Sequence, residues 1–147
     1  MVDLNLPKID SNIRKSDGKV EIFDIVRKKY VALTPEEWVR QHFVHFLVNQ
    51  RGYSKALIRV ESGLKYNQRQ KRSDILVHDN NAKPHLIVEC KSFDVKITQA
   101  GFDQVAVYSK KLNVEYLVVT NGINHFCCKL NPDTNKMDFV DDVPYCN

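Results

Sequence analysis

The stretch Asp74–Lys91, DILVHDNNAKPHLIVECK, determines the fold that we predict for this chain. Two apolar runs flank the turn-forming segment NNAKP, a pattern typical of a β-hairpin. With NNAK as the loop, Asp79 lies opposite Pro84. Counting back along both strands then places Asp74 opposite Glu89. Opposed residues share one face of a hairpin, with Cβ atoms about 4.5–5.5 Å apart. The hairpin is therefore predicted to bring two carboxylates together.

The segments around this hairpin predict an α/β fold. The segment LTPEEWVRQHFVHFLVNQRG has Thr34 as N-cap, Pro35 at the first helical position and Gly52 at its end. A second amphipathic helix, ITQAGFDQVAVYSKKL, begins after Thr98. Strands are predicted for ALIRVESGL, SDILVHD, HLIVECK, EYLVVTNG and HFCCKL. The first three form an antiparallel meander, and the second helix is a crossover that allows the next strand to pair in parallel.

The length of 147 residues is sufficient for one domain. Residues 1–30 are predicted to form an arm and a hairpin around the turn SDGK. Residues 31–131 form the main domain, and residues 132–147 form a turn-rich, acidic tail.

Composition indicates a globular protein of the cytoplasm. The chain is 43% hydrophobic and 27% charged, with a net charge of +4, which permits nucleic acid as a partner without requiring it. No apolar run reaches the roughly 20 residues of a membrane span, and the first residues show no signal peptide. The four cysteines lack CxxC spacing, so a zinc ribbon is excluded and reduced thiols are expected. His125 and Cys127 are interpreted as strand packing rather than metal ligands.

The predicted Asp74–Glu89 pair indicates a metal site. Opposed carboxylates repel each other, and a divalent cation such as Mg²⁺ removes the conflict because it prefers oxygen ligands. Lys91 lies two residues beyond Glu89, so both share a face of the strand. The alternative is a solvated Glu89–Lys91 ion pair at a strand end. A register slip of one residue would also reverse the face.

A cationic segment precedes the hairpin. The sequence KYNQRQKR contains Lys65, Arg69, Lys71 and Arg72 and no acidic residue. It is interpreted either as a solvated hairpin tip or as a set of phosphate contacts.

Together these motifs resemble a known family. Asp74, fourteen residues, and then Glu89-Cys90-Lys91 resemble the PD-(D/E)xK nuclease motif, with Ser73 in place of its proline. Gln104-x-x-x-Tyr108 resembles the QxxxY element of its restriction-subunit branch. The segments LTPEEWVRQHF, VVTNG and HFCCKL are similar to the N-terminal domain of type I restriction enzyme R subunits. The resemblance implies a restriction-endonuclease-like core, with a mixed central sheet flanked by two helices and preceded by an N-terminal hairpin.

The resemblance implies roles for the motif residues. Asp74 and Glu89 would bind Mg²⁺, or Mn²⁺ as a substitute, with the Cys90 carbonyl as a further ligand. Lys91 would be the catalytic lysine. The cationic side chains at positions 65, 69, 71 and 72, and those of Lys110-Lys111, gain support as DNA contacts.

Other residues receive implied roles with alternatives. Glu37, preferred over Glu36, would complete the acidic cluster, although its place in a T-x-x-E capping box offers a competing explanation. Gln104 and Tyr108 would hold Lys91 or a DNA phosphate, or else pack the helix on the sheet. Glu61 is a possible extra acid.

The expected function is that of an Mg²⁺-dependent DNA endonuclease domain. The alternatives are a non-catalytic DNA-binding or protein-docking module that keeps the fold, and a structural protein with charged strand ends. The expected partners are DNA and the motor or specificity subunits of a restriction-like system, and no membrane. The chain has no GxxxxGK[ST] loop, so it is expected to be a freestanding relative or a fragment without the motor.

Overall fold

The computed structural model of the chain describes residues 2–65 and 71–146, and it describes residues 61–65 and 71–74 as backbone only. Two α-helices and nine strands lie in this part of the chain. Their order is β1 (Ile13–Ser16), β2 (Lys19–Asp24), β3 (Lys29–Ala32), α1 (Pro35–Arg51), β4 (Ile58–Lys65), β5 (Lys71–His78), β6 (Pro84–Cys90), α2 (Gln99–Lys111), β7 (Tyr116–Thr120), β8 (His125–Asn131) and β9 (Lys136–Val140).

Strands β1, β2 and β3 form a small antiparallel sheet before the main domain. The turn between β1 and β2 is the predicted one, with Gly18 at a φ of 77°. The prediction of a simple hairpin was wrong, because the chain turns again between β2 and β3. The Asp24 carboxylate accepts hydrogen bonds from the N–H groups of Val26 and Arg27, both at 2.8 Å. This side chain closes the second turn and so adds the third strand.

The main sheet has six strands in the order β4-β5-β6-β7-β8-β9. Neighbouring strands are antiparallel except β6 and β7, which are parallel because α2 crosses over between them. The mixed sheet with its antiparallel meander and helical crossover is confirmed. Its assignment to the restriction-endonuclease-like fold stays a prediction.

Strand β9 lies inside the segment that we predicted to be a turn-rich tail. A turn at Asn131 leads into it, since the Asn131 side chain accepts a hydrogen bond from the N–H of Asp133 at 2.9 Å. The five residues of β9 are too few for the sequence to predict a strand, but they form one by pairing with β8. After β9 the chain returns to α1, where Arg51 Nε donates to the Val143 carbonyl at 2.9 Å.

The two helices cover opposite faces of the main sheet. On the α1 side, Val39, Phe43, Val44 and Leu47 pack with residues of β5 and β6 that alternate along each strand, namely Ile75, Val77, Leu86 and Val88. On the α2 side, Phe102 and Val105 pack with the intervening residues, namely Leu76 and Ile87, and with Leu117 and Val119. This two-sided burial specifies the register, because a slip of one residue would exchange the faces.

The predicted register of the β5–β6 hairpin is confirmed at its base. Asp74 pairs with Glu89, and the pairing continues in step as far as Val77. The predicted tip was wrong, because His78 rather than Asp79 pairs with Pro84. The register shifts there, and the Asp79 carboxylate instead closes the loop by accepting hydrogen bonds from the N–H groups of residues 81 and 83.

Candidate active site

Three acidic positions form one row across the main sheet. Glu61 of β4 pairs with Asp74 of β5, and Asp74 pairs with Glu89 of β6. Because neighbouring strands lie about 4.8 Å apart, the row brings three acidic residues to adjacent backbone positions. We call these three residues the acidic row. The sequence had indicated Glu61 only as a possible extra acid, since the irregularity between Ser62 and Leu64 prevents counting through that hairpin.

Glu89 is the member of the acidic row whose side chain the structure describes. It is 5% exposed, although it is a carboxylate at the end of a strand. Its strand neighbours Val88 and Cys90 belong to the α1-side core, so alternation turns Glu89 to the α2 side. A carboxylate with so little exposure requires hydrogen bonds or a cation. The structure thus holds this acid in a protected place at the base of the hairpin.

Lys91 follows β6 directly and is half-buried. Its backbone N–H donates to the Thr120 carbonyl at 2.8 Å, which fixes the chain against the end of β7. Lys91 therefore lies just beyond the end of β6, two residues after Glu89, and its role as the catalytic lysine stays a prediction. The Cys90 side chain is buried in the α1-side core, and its carbonyl as a metal ligand stays a prediction.

The chemistry of the acidic row fits Mg²⁺ or Mn²⁺. Its donors are carboxylate oxygens, which hard divalent cations prefer, and two or three carboxylates leave positions for water and phosphate. Among residues whose side chains are described, no group of three or more His, Cys, Asp or Glu side chains is arranged to hold a metal ion. Glu61 and Asp74 lie outside that set. The metal site therefore stays a prediction.

Glu37 lies in a different environment. It belongs to α1, on the other face of the sheet from Glu89, and its carboxylate is buried among cations. Arg27 Nη2 lies 3.2 Å from Oε2, Gln41 Nε2 donates to the same oxygen at 2.9 Å, and Arg40 Nη1 bonds to Oε1. The structure thus does not bring Glu37 into the acidic row. As predicted, Thr34 caps the helix by accepting from the Glu37 N–H at 3.0 Å.

Asp24 completes the cluster around Glu37. Gln41 Nε2 also donates to Asp24 Oδ2 at 2.9 Å, and Arg27 Nε donates to the same oxygen at 2.7 Å. Burial raises the pKa of Asp24, but hydrogen bonds from the Arg27 backbone, Gln41 and the Arg27 side chain outweigh it, so the pKa lies below its ordinary value. This buried cluster of Asp24, Arg27, Glu37, Arg40 and Gln41 joins the small sheet to α1, and we call it the ionic cluster.

Gln104 and Tyr108 lie one turn apart on α2. Gln104 is exposed to solvent, whereas Tyr108 is partly buried and packs against the α2-side core. The structure therefore gives Tyr108 a packing contact and leaves Gln104 at the surface. Their roles toward Lys91 or phosphate stay predictions.

Three of the predicted DNA-binding cations, Lys65, Lys71 and Arg72, lie on β4 and β5 next to the segment that connects these strands. Lys65 pairs with Lys71, and Arg72 pairs with Leu64, in the backbone register. The side chains of these three cations are not described, and Arg69 lies outside the described residues. Lys110 and Lys111 are in the last turn of α2. Phosphate contact by any of them stays a prediction.

His125 and Cys127 pack as strand residues, as the sequence indicated. His125 Nε2 contacts the Asn5 carbonyl at 2.9 Å, and Nδ1 contacts Thr120 Oγ1 at 2.6 Å. Both ring nitrogens thus have protein partners. Burial raises the pKa of the Cys127 thiol to about 11, so the thiol is protonated at neutral pH.

A comparison with protein families identifies the class to which this chain belongs: the N-terminal domains of restriction-enzyme R proteins. Residues 35–144 match the family described as type I restriction enzyme R protein N terminus (HSDR_N), and the chain belongs to this family. The match confirms the resemblance to the N-terminal domain of type I restriction enzyme R subunits, whereas the PD-(D/E)xK assignment stays a prediction. The match extends through β9, beyond the predicted end of the domain at residue 131. The chain has no match among the curated proteins or the solved structures compared with it.

Membership associates the chain with restriction systems and with a nuclease-related role. Neither α1 nor α2, the two α-helices in the described part of the chain, combines the length and the apolar character that a membrane crossing requires.

Proposed function

We propose that this protein is an Mg²⁺-dependent DNA endonuclease domain of the PD-(D/E)xK type. The observation that carries the proposal is the cross-strand pair of Asp74 and Glu89, with Lys91 two residues beyond the second acid. Family membership supports it, because the matched family consists of R-protein N-terminal domains of restriction enzymes.

Each residue of the motif has a distinct task in the proposed reaction. A bound Mg²⁺ would polarise the phosphate and lower the pKa of a water molecule. Asp74 and Glu89 would provide its carboxylate oxygens, and the burial of Glu89 would keep that carboxylate from rotating into solvent. Lys91 would orient the attacking water or stabilise negative charge that develops on the phosphate oxygens. Water would lose a proton and attack phosphorus in line, and the bond from phosphorus to the 3′ oxygen would break. The leaving 3′ oxygen would take up a proton from solvent, which gives a 5′-phosphate and a 3′-hydroxyl.

The partners of this domain follow from the same proposal. DNA is the substrate, held by phosphate contacts that carry no sequence information. Sequence choice and movement along DNA would come from specificity and motor subunits of a restriction-like system. A domain that acts on DNA with such subunits would work in the cytoplasm.

The proposal is tested by cleavage of supercoiled, linear and branched DNA with Mg²⁺ or Mn²⁺. Lys91→Ala and Glu89→Gln are expected to lower cleavage at least about 10²-fold, which is typical for removal of a group that stabilises charge in a transition state. Lys96→Ala is the matched control, because Lys96 is an exposed lysine of the same loop. Full cleavage by the Lys91→Ala variant would exclude the assignment, and DNA binding without product would favour a non-catalytic module.

Thermal melts provide a readout that is independent of cleavage. Mn²⁺ at about 100 times its dissociation constant should stabilise the wild type by about 2.7 kcal/mol through ligand linkage. Asp74→Asn is expected to remove most of this shift. An equal shift in the variant would exclude the acidic row as the metal site.

A further inference from the structure

Asn121 lies in the turn between β7 and β8 and is 4% exposed. It belongs to the segment VVTNG, which is one of the segments similar to R subunits and has no role in the proposed reaction. Its side-chain oxygen accepts hydrogen bonds from the N–H groups of Ile123 at 3.0 Å and Asn124 at 2.8 Å. Its side-chain nitrogen donates to the Val95 carbonyl at 2.8 Å. The amide is therefore used in both directions, with the oxygen in its own turn and the nitrogen in a different loop.

The loop that Asn121 reaches is the one that begins at Lys91. This loop connects β6 to α2, whose N-cap is Thr98. The Lys91 N–H is bonded to the Thr120 carbonyl at 2.8 Å, and the Val95 carbonyl is bonded to Asn121, the next residue after Thr120. Adjacent residues at the end of β7 thus hold the loop at two points. Between these points the Val95 N–H donates to the Ser92 carbonyl at 3.0 Å, which closes a tight turn.

We propose that Asn121 is a positioning residue for Lys91, which it holds in place by clamping the loop at Val95. The inference rests on the proposed function, because it assumes that Lys91 acts in the reaction. Lys91 is the last point at which the chain touches β7 before the loop, and a loop free at Val95 would let the backbone at position 91 shift. Small displacements matter here, since a misplacement of about 1 Å can lower a rate about 10²-fold.

The side-chain chemistry explains why asparagine serves this position. An asparagine amide offers an acceptor oxygen and a donor NH₂ group, whereas a carboxylate only accepts. Asn121→Asp therefore keeps an acceptor for the N–H groups of Ile123 and Asn124 and removes the donor to Val95. The substitution separates the clamp from the turn in a single step.

Asn124→Asp is the matched control for this experiment. Asn124 lies in the same turn, is exposed, and takes part in the hydrogen bonds to Asn121 through its backbone. The control makes the same change from amide to carboxylate three residues away, and so adds the same charge near any bound DNA. Asn121→Ser is an uncharged second variant, because a hydroxyl accepts turn N–H groups as in Ser/Thr turns. It provides the comparison if the buried charge of the first variant prevents folding.

The readouts are the kcat and KM of DNA cleavage, the Kd for DNA, and hydrogen exchange of the amides of residues 92–98. We expect Asn121→Asp to lower kcat about 10- to 100-fold with KM and Kd within about twofold of the wild type. The amides of the loop should exchange faster, and Asn124→Asp should match the wild type in every measurement.

The outcomes distinguish this inference from the proposed function. Cleavage by Asn121→Asp and Asn121→Ser at the wild-type rate, or unchanged exchange in the loop, would overturn the positioning role and leave the nuclease assignment intact. A loss confined to KM and DNA affinity would also overturn it, because it would indicate a binding contact. A folded wild type that cleaves no DNA would overturn the proposed function, and the positioning role with it.

Discussion

Asp74 of β5 lies directly opposite Glu89 of β6, and Glu61 of β4 extends the same row. Like charges directly opposite each other in a sheet are destabilising, typically by a few tenths of a kcal/mol to about 1 kcal/mol. Selection for stability alone would separate these acids. We propose that a shared ligand offsets this repulsion, as the acidic row would provide for a divalent cation.

Substitution of Glu61 tests this explanation through two effects of opposite sign. Without metal, Glu61→Gln should raise the free energy of unfolding by up to about 0.5 kcal/mol, because it relieves repulsion in the acidic row. With metal, the variant should require at least about tenfold more Mn²⁺ for half-maximal thermal stabilisation. Glu115→Gln is the control, since Glu115 is a partly exposed acid that pairs with His85. An unchanged Mn²⁺ requirement would place Glu61 outside the metal site.

The ionic cluster is expected to make a large contribution to stability. Arg27→Met removes a side chain that bonds to both Asp24 and Glu37, and it leaves two buried carboxylates short of a donor. We expect a loss of about 3 kcal/mol, as is typical when one partner of a buried ion pair is removed. Arg14→Met in the same small sheet is the control. The Arg14 side chain is 50% exposed and pairs with Glu21, so about 1 kcal/mol or less should be lost. Urea unfolding measures both, and equal losses would contradict the prediction.

Gly122 is predicted to be intolerant of a side chain. Its φ of 86° is unfavourable for other residues, and a Cβ atom there would lie 2.9 Å from Leu4 Cδ2 and 3.1 Å from Val39 Cγ2. Gly122→Ala should therefore cost about 2 kcal/mol or more, part of it from displacing the N-terminal arm. Gly18→Ala separates the two causes, because Gly18 has a similar φ of 77° and a Cβ atom added there would meet no other atom within 4 Å. It should cost only about 1–2 kcal/mol. Equal losses of unfolding free energy in the two variants would exclude a contribution from the clash with Leu4 and Val39.

Stability should fall as the medium becomes acidic. Burial, together with the nearby His42, lowers the pKa of His45 below 6.5, and burial also lowers that of His42. A lowered pKa in the folded state means that the unfolded chain binds the proton more tightly. The stabilising contribution is therefore present above the unfolded pKa of 6.5 and is lost as the pH falls below it. Urea midpoints between about pH 7 and about pH 5 should decrease, and His45→Gln should reduce the slope. The same dependence of the urea midpoint on pH in His45→Gln and the wild type would refute the assignment of this effect to His45.

Local patterns were sufficient for much of the fold. Thr34, Gly52 and Thr98 mark helix ends through hydrogen bonds that span a few residues, so their roles are visible in the sequence. The pairing of Asp74 with Glu89 was also predictable, because side chains alternate in a strand and the loop between the two runs is short. The predicted tip was wrong, because the Asp79 side chain closes the loop and His78, rather than Asp79, pairs with Pro84.

Contacts between distant parts of the chain could not be predicted in this way. The sequence indicated a local role for Glu37 in a helix capping box. Its carboxylate instead bonds to Arg27, which lies ten residues earlier, in the turn between β2 and β3. Near the turn after β7, the His125 ring contacts the carbonyl of Asn5, which lies 120 residues earlier in the chain. Such partners become neighbours only when the sheet has formed, so no spacing in the sequence reports them.

The sequence by itself determined which residues alternate, where the helices begin and which two acids oppose each other, because these depend on backbone periods and on short loops. Only the tertiary structure decided that Glu61 joins their row, that Glu37 lies across the sheet among arginines, and that Asn121 holds the loop after Lys91. The physical reason is that a strand period fixes faces within one hairpin. Contacts between distant parts of the chain determine how long loops close, where a strand register is irregular and how buried polar groups find hydrogen-bond partners.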